Sequence, residues 1–237
     1  MKTASFIIDE LQSVASTEKA AHLSRFFKTG PGEYGEGDHF LGIPVPLTRN
    51  IAKANIDTPL EELQILIHSP WHEARLCALL ILVERFKKKK TTDEERCNIY
   101  QFYLKNTRHC NNWDLVDLSC PTIVGGYLLH QPDRSLLYRL AESDNLWEQR
   151  IAIVSTIALI RHDQFDDTLA LSRKLMNHKH DLMHKAVGWM LREIGKRNRD
   201  VLTEFLDEYA TRLPRTALRY AIEHYPEEER QDFLRKK

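Results

Sequence analysis

At 237 residues, with 34 basic and 34 acidic side chains, the chain can bury a core without disulfide or metal staples, and its zero formal charge excludes a global attraction to polyanions. A composition of 42% hydrophobic and 29% charged residues, with only 9 Gly and 9 Pro, excludes a disordered or collagen-like chain. No apolar run of about 18 residues occurs, and the start from Met1 to Gln12 lacks a basic stretch followed by an apolar one, so a cytoplasmic protein is expected.

Apolar residues recur with helical period from residue 4 onward, and alternating strand-like stretches are missing. The expected fold class is therefore all-α. Helices are predicted over 4–15, 17–28, 46–54, 59–67, 71–87, 92–106, 112–118, 121–129, 134–142, 146–161, 165–176, 181–196, 198–211, 213–223 and 226–235. Start signals at Asp57-Thr58-Pro59, Thr92, Ser143-Asp144 and Asn198 support several of them.

Helix pairs return at steps of 42 residues from Trp71 to Trp113 and 34 to Trp147, then about 36 to Met183 and about 31 to Pro214. This is the range of HEAT or armadillo pairs, each of which must stack on the next to cover its apolar face. A single domain over residues 1–237 is expected, an α-solenoid of degenerate HEAT-like helix pairs forming a concave groove. One segment interrupts the pattern: residues 29–39 hold four of the nine glycines. Its formal Gly30-Pro-Gly32-Glu-Tyr-Gly35 match to a dinucleotide fingerprint is empty, because a helix precedes it and its acids would repel a pyrophosphate. An exposed loop or short hairpin is predicted there.

Charged residues follow a row. Trp71-His-Glu-Ala-Arg75 and Trp147-Glu-Gln-Arg150 begin helices with tryptophan and then arginine; Lys185 and Arg215 stand at similar places, but Trp113-Asp-Leu-Val-Asp117 puts an acid there. Cations along a groove suit a polyanion, and one carboxylate among them suits chemistry on what the groove holds. Asp117 beside an arginine would stay ionised, able to stabilise a developing cation or orient water but not to act as a general acid. Trp113 and Trp189 sit among polar or small residues and are candidates for contact with sugars or bases, whereas Trp71 and Trp147 read as packing between repeats.

Cys77, Cys97, Cys110 and Cys120 form no CxxC pair and read as reduced structural thiols. His178, His180 and His184 lack an HExxH companion, so no metal is expected; His184 instead faces phosphate or caps its helix. No GxSxG or P-loop is present.

The segments Asn112-Trp113-Asp114-Leu115-Val116-Asp117 and His184-Lys185-Ala186-Val187-Gly188-Trp189-Met190-Leu191-Arg192-Glu193 resemble the signatures of the DNA alkylation repair family, the AlkD-type HEAT-like-repeat DNA glycosylases. Trp147-Glu-Gln-Arg150 and Phe40-Leu-Gly-Ile-Pro-Val-Pro46 are similar to two more of its segments. The resemblance implies excision of N3- and N7-alkylated purines from duplex DNA held in a basic groove, without a deep pocket for a flipped base. It implies Asp117 as the catalytic carboxylate, Trp113 and Trp189 as walls contacting the lesion's deoxyribose, and Arg150 as a DNA contact. Lys185, Arg75 and Arg215 are the further expected DNA-binding residues. No cofactor, membrane or obligate protein partner is expected, and the protein should be a monomer. The family also has branches without glycosylase activity that bind branched DNA, and the basic row with the glycine-rich insert keeps open the alternative of a non-catalytic HEAT-like-repeat protein binding branched or damaged DNA.

Overall fold

The computed structural model describes residues 2–236, and they are helical with no strand among them, as the periodicity predicts. Contacts gather them into two compact units, one up to Ile123 and one from Val124 onward. No helix among the described residues is long and apolar enough to cross a membrane.

The first unit contains α1 (Ala4–Ser13), α2 (Thr17–Phe26), α3 (Val45–Ala54), α4 (Leu60–Ile67), α5 (His72–Lys87), α6 (Asp93–Lys105), a 3-10 turn (Thr107–His109) and α7 (Trp113–Cys120). Its centre is α5, buried on every side from His72 to Val83 and packed against α1, α3, α4, α6 and α7. A helix buried on every face can only be central. Burial of Leu76, Leu79, Leu80, Ile81 and Leu82 contributes roughly 1.5–3 kcal/mol each. Thr92 caps α6 as expected, accepting the Glu95 N–H at 3.1 Å.

The second unit contains α8 (Gly126–Leu128), α9 (Ser135–Ala141), α10 (Leu146–Ser155), α11 (Ile157–Ile160), α12 (Asp166–Leu175), α13 (Asp181–Arg197), α14 (Arg199–Tyr209), α15 (Arg215–Ala221) and α16 (Glu227–Arg235). Between α7 and α8 the chain makes a π-helical turn, Pro121–Gly125. Here α13 is central, burying Met183, Ala186, Val187, Met190, Leu191 and Ile194 at helical spacing and packing against α10, α12, α14 and α15. Gly188 in its signature segment has a packing reason: a Cβ there would lie 2.5 Å from the Ala217 carbonyl oxygen of α15. Asn198 caps α14 as predicted, accepting from Val201.

Two local expectations are corrected. The helix predicted over 146–161 breaks at Thr156, whose hydroxyl donates to the Ile153 carbonyl at 2.6 Å. Its start is capped by Asn145, which accepts the Trp147 and Glu148 N–H groups, rather than by Ser143 or Asp144.

Candidate functional site

The glycine-rich segment, expected as a loop or hairpin, is a folded loop of turns whose last residue, His39, makes an isolated parallel bridge to Trp71. Gly32 and Gly37 take φ of +78° and +80°, a region only glycine enters without strain. Gly35 is buried against the Phe27 carbonyl, where a Cβ would meet oxygen at 2.4 Å. The exposed acids of the loop fold back on its own backbone, Glu33 accepting from Gly30 and Glu36 from Gly32. Its next-to-last residue, Asp38, is buried.

Asp38 opens a buried polar chain. Its carboxylate receives Arg75 and lies 2.8 Å from His72 Nδ1; the other ring nitrogen, Nε2, lies 2.8 Å from Asp114 Oδ2. Burial alone would lower the His72 pKa, but the hydrogen bonds to Asp114 and Asp38 reverse this and raise it to about 9. At neutral pH His72 is therefore an imidazolium donating from both nitrogens. Burial pushes the Asp38 pKa up, yet the His72 hydrogen bond and the Arg75 charge outweigh it and hold the group below its usual range. Beside this chain, buried Glu73 accepts the N–H groups of Leu41, Gly42 and Ile43 at 2.8, 2.8 and 3.1 Å. It pins the Phe40–Pro46 segment to α5.

Of these groups His72, Glu73 and Asp114 border a cavity of about 390 Å³ in the first unit, walled by Phe26, Phe27, Phe40 and Trp113, with Asp117 also on its lining. Trp113 and Asp117 are one helical turn apart on α7 and both half-buried. Trp113 stacks on Phe27 at 5.2 Å between centroids, and Phe26, 56% exposed, meets it edge-on at 6.0 Å. The α7 start is set by Asn112, which accepts from Trp113 N–H, and by Asp114, which accepts from Leu115 N–H. The lining carries the carboxylates of Glu73, Asp114 and Asp117 against the single cation His72, so it is net acidic. An aromatic-walled cavity with such a border suits a planar or cationic group.

Two arginines of the expected row sit otherwise than the sequence suggested. Arg75 is buried, its guanidinium donating to Asp38 and, at 2.7 Å, to the Ser69 carbonyl. The reason is local: α5 buries all its faces, so a cation on it must find its acid inside. Arg150 is 5% exposed on α10 and donates to the Leu182 carbonyl at 2.6 Å, bracing the first turn of α13. Lys185 is half-buried and pairs with Asp181 at 2.8 Å, and Arg215 is exposed at the start of α15. Trp189 is half-buried on α13.

His180 accepts the Leu182 N–H as the α13 cap, and His184 Nε2 bonds the His178 carbonyl, so the three histidines serve the helix start. No metal-holding cluster occurs among the described residues. The thiols of Cys77 and Cys110 are pushed up to about 12 by burial, which leaves them unreactive. His72, Asp38, Glu73 and Phe27 were not singled out from the sequence. The one signal was the acidic end of the glycine segment, whose partners lie 34 and 37 residues away.

A sequence family described as DNA alkylation repair enzyme matches residues 7–225. Among solved structures, one described as a predicted DNA alkylation repair enzyme from Enterococcus faecalis superposes with a TM-score of 0.66 at 20% identity. It covers 90% of this chain and 97% of its own. No curated protein matches the sequence.

Proposed function

Because the chain belongs to the DNA alkylation repair enzyme family, we propose that it is a DNA glycosylase that removes N3- and N7-alkylated purines by hydrolysis of the N-glycosidic bond. A role in DNA repair follows from the family; the reaction is our reading. The observation that supports it most is Asp117 and Trp113, one turn apart on α7 and both lining the aromatic-walled cavity.

The chemistry needs little from the protein. Alkylation at N3 or N7 makes the purine a cation, so it leaves as a neutral base without an acid to protonate it. Positive charge passes to the sugar as an oxocarbenium ion, which the Asp117 carboxylate stabilises while it orients the attacking water. Neutral purines lack the charged leaving group and are spared. Trp113 supplies a flat apolar surface for the nucleotide, supported from behind by Phe27. Trp189 is proposed as a second deoxyribose contact. Lys185 and Arg215 are proposed to contact phosphate directly, with Arg150 acting through the start of α13 that it braces. The substrate on this reading is duplex DNA, with no cofactor.

The test is release of 3-methyladenine and 7-methylguanine from methylated duplex DNA. The wild type should release both, and Asp117→Asn should lose at least about 100-fold in rate. No release by the wild type, or undiminished release by the variant, would overturn the reading. The alternative of a non-catalytic binder of branched or damaged DNA rested on the basic row and on the glycine-rich segment. That segment puts its last carboxylate inside the unit and surrounds its exposed backbone with Glu33 and Glu36, an arrangement that does not favour a phosphate surface.

A further inference from the structure

We propose that His72 is the positioning residue of the site: bridging Asp38 of the glycine-rich loop and Asp114 of α7, it sets the direction in which Trp113 and Asp117 face the cavity.

Two separate paths lead from its ring to those residues. The polar path runs from Nε2 to Asp114 Oδ2, and the other Asp114 oxygen accepts the Leu115 N–H in the first turn of α7. Asp117 stands three residues further along the same helix. The apolar path runs through ring faces: His72 lies 4.4 Å from Phe40 at 24° and 5.2 Å from Phe27, and Phe27 in turn stacks on Trp113. A single side chain thus holds the polar and the aromatic side of α7 at once. His72 is not a proton donor to substrate, because both its nitrogens already face carboxylates.

The bridge depends on the charge of the ring. As an imidazolium it donates in both directions; once neutral it keeps one N–H, and one carboxylate is left facing a lone pair. The charged groups around it are Asp38 from the loop, Glu73 and Arg75 from α5, and Asp114 and Asp117 from α7. Phe27 and Phe40 close the remaining sides. Of these groups Asp38 is held by Arg75 as well, whereas the Asp114 carboxylate turns its second oxygen to backbone. Loss of the proton therefore loosens the α7 end first. The role assigned to the glycine-rich segment changes accordingly: it is a strut that delivers Asp38 to the bridge.

The rate measurement for this inference rests on the glycosylase reading; a second readout does not. His72→Gln removes the charge while keeping a side chain that can hydrogen-bond. Single-turnover excision at saturating methylated DNA should fall about 100-fold in the variant with DNA affinity unchanged, because a small misplacement of reacting groups costs rate rather than binding. The wild-type rate should decline as pH passes about 9, and the variant should lack that decline. Independently, NMR of the ¹⁵N-labelled wild-type protein should show the Trp113 indole signal shifting with the same midpoint as the His72 ring nitrogens. A folded His72→Gln protein with the wild-type rate overturns the proposal, as does a Trp113 signal indifferent to His72 titration. If the variant does not fold, the wild-type NMR titration decides alone. If the wild type releases no alkylpurine, the glycosylase reading fails, and the same titration still decides whether His72 positions Trp113.

Discussion

His72 and Asp114 lie 42 residues apart in sequence and 2.8 Å apart in space, an imidazole nitrogen against a carboxylate oxygen in the interior of the first unit. The contact ties the first turn of α5 to the first turn of α7. Because the opposite nitrogen meets Asp38 at the same distance, the ring is held in the charged form well past neutral pH.

That raised pKa makes stability depend on pH in a stated direction. The folded-state value is about 9 and the ordinary value 6.5, so the folded chain holds the proton more tightly than the unfolded one. The stabilisation is fully present below pH 6.5 and is lost as pH rises through 9, amounting to a few kcal/mol. Asp38 acts at the other end: its pKa is lowered, so its contribution is present above the ordinary value of 3.8 and is lost as pH falls through the lower folded value. Thermal unfolding followed from pH 6 to 10 should show the melting temperature of the wild type dropping across the upper window. The drop should be absent in His72→Gln, and a drop of equal size in that variant would assign it to other groups.

Glu73 offers a test of what holds the Phe40–Pro46 segment. Its carboxylate accepts from three consecutive backbone N–H groups, and Gly42 between them has φ of +82° with the Ser16 carbonyl 2.1 Å from where a Cβ would sit. No residue with a Cβ fits at Gly42, and only a carboxylate offers acceptors to all three donors. Glu73→Ala leaves three buried donors without an acceptor and should cost about 3–5 kcal/mol in urea denaturation. Glu73→Gln keeps one accepting oxygen and should cost less. Equal losses for the two would mean that packing volume, and not the hydrogen bonds, is what Glu73 contributes.

Most helices could be read from apolar periodicity, because α1, α12, α13 and α14 each bury one stripe and expose the other face. The signature residues of α7 were legible as well: Trp113 and Asp117 stand one turn apart on a short helix and line the same cavity. What surrounds them was not legible, for a physical reason. A buried ion pair is defined by partners distant in sequence, and nothing in the local pattern distinguishes an inward Arg75 from an outward one. The acids of the glycine-rich segment looked alike, yet Glu33 and Glu36 are exposed whereas Asp38 is buried between His72 and Arg75. Spacing reads which face a residue is on only when the helix has two different faces, and α5 has none.

The contrast between Arg75 and Arg215 leads to the last prediction. Both were expected as phosphate contacts, but Arg75 is buried on Asp38 and Ser69 while Arg215 is exposed at the start of α15. Arg75→Ala should destabilise the fold by about 3–5 kcal/mol, since it leaves part of a buried charge network uncompensated. Arg215→Ala should change stability by no more than about 0.5 kcal/mol. DNA binding should respond in the opposite order. Each phosphate contact contributes about one unit to the slope of log affinity against log salt, so Arg215→Ala should reduce that slope by about 1 and Arg75→Ala should leave it unchanged. Denaturation and salt-titrated binding on the same preparations measure both quantities. If the folded Arg75 variant lost slope as the Arg215 variant does, the guanidinium would have to leave Asp38 on binding DNA, and the bridge to α7 would then open in the complex.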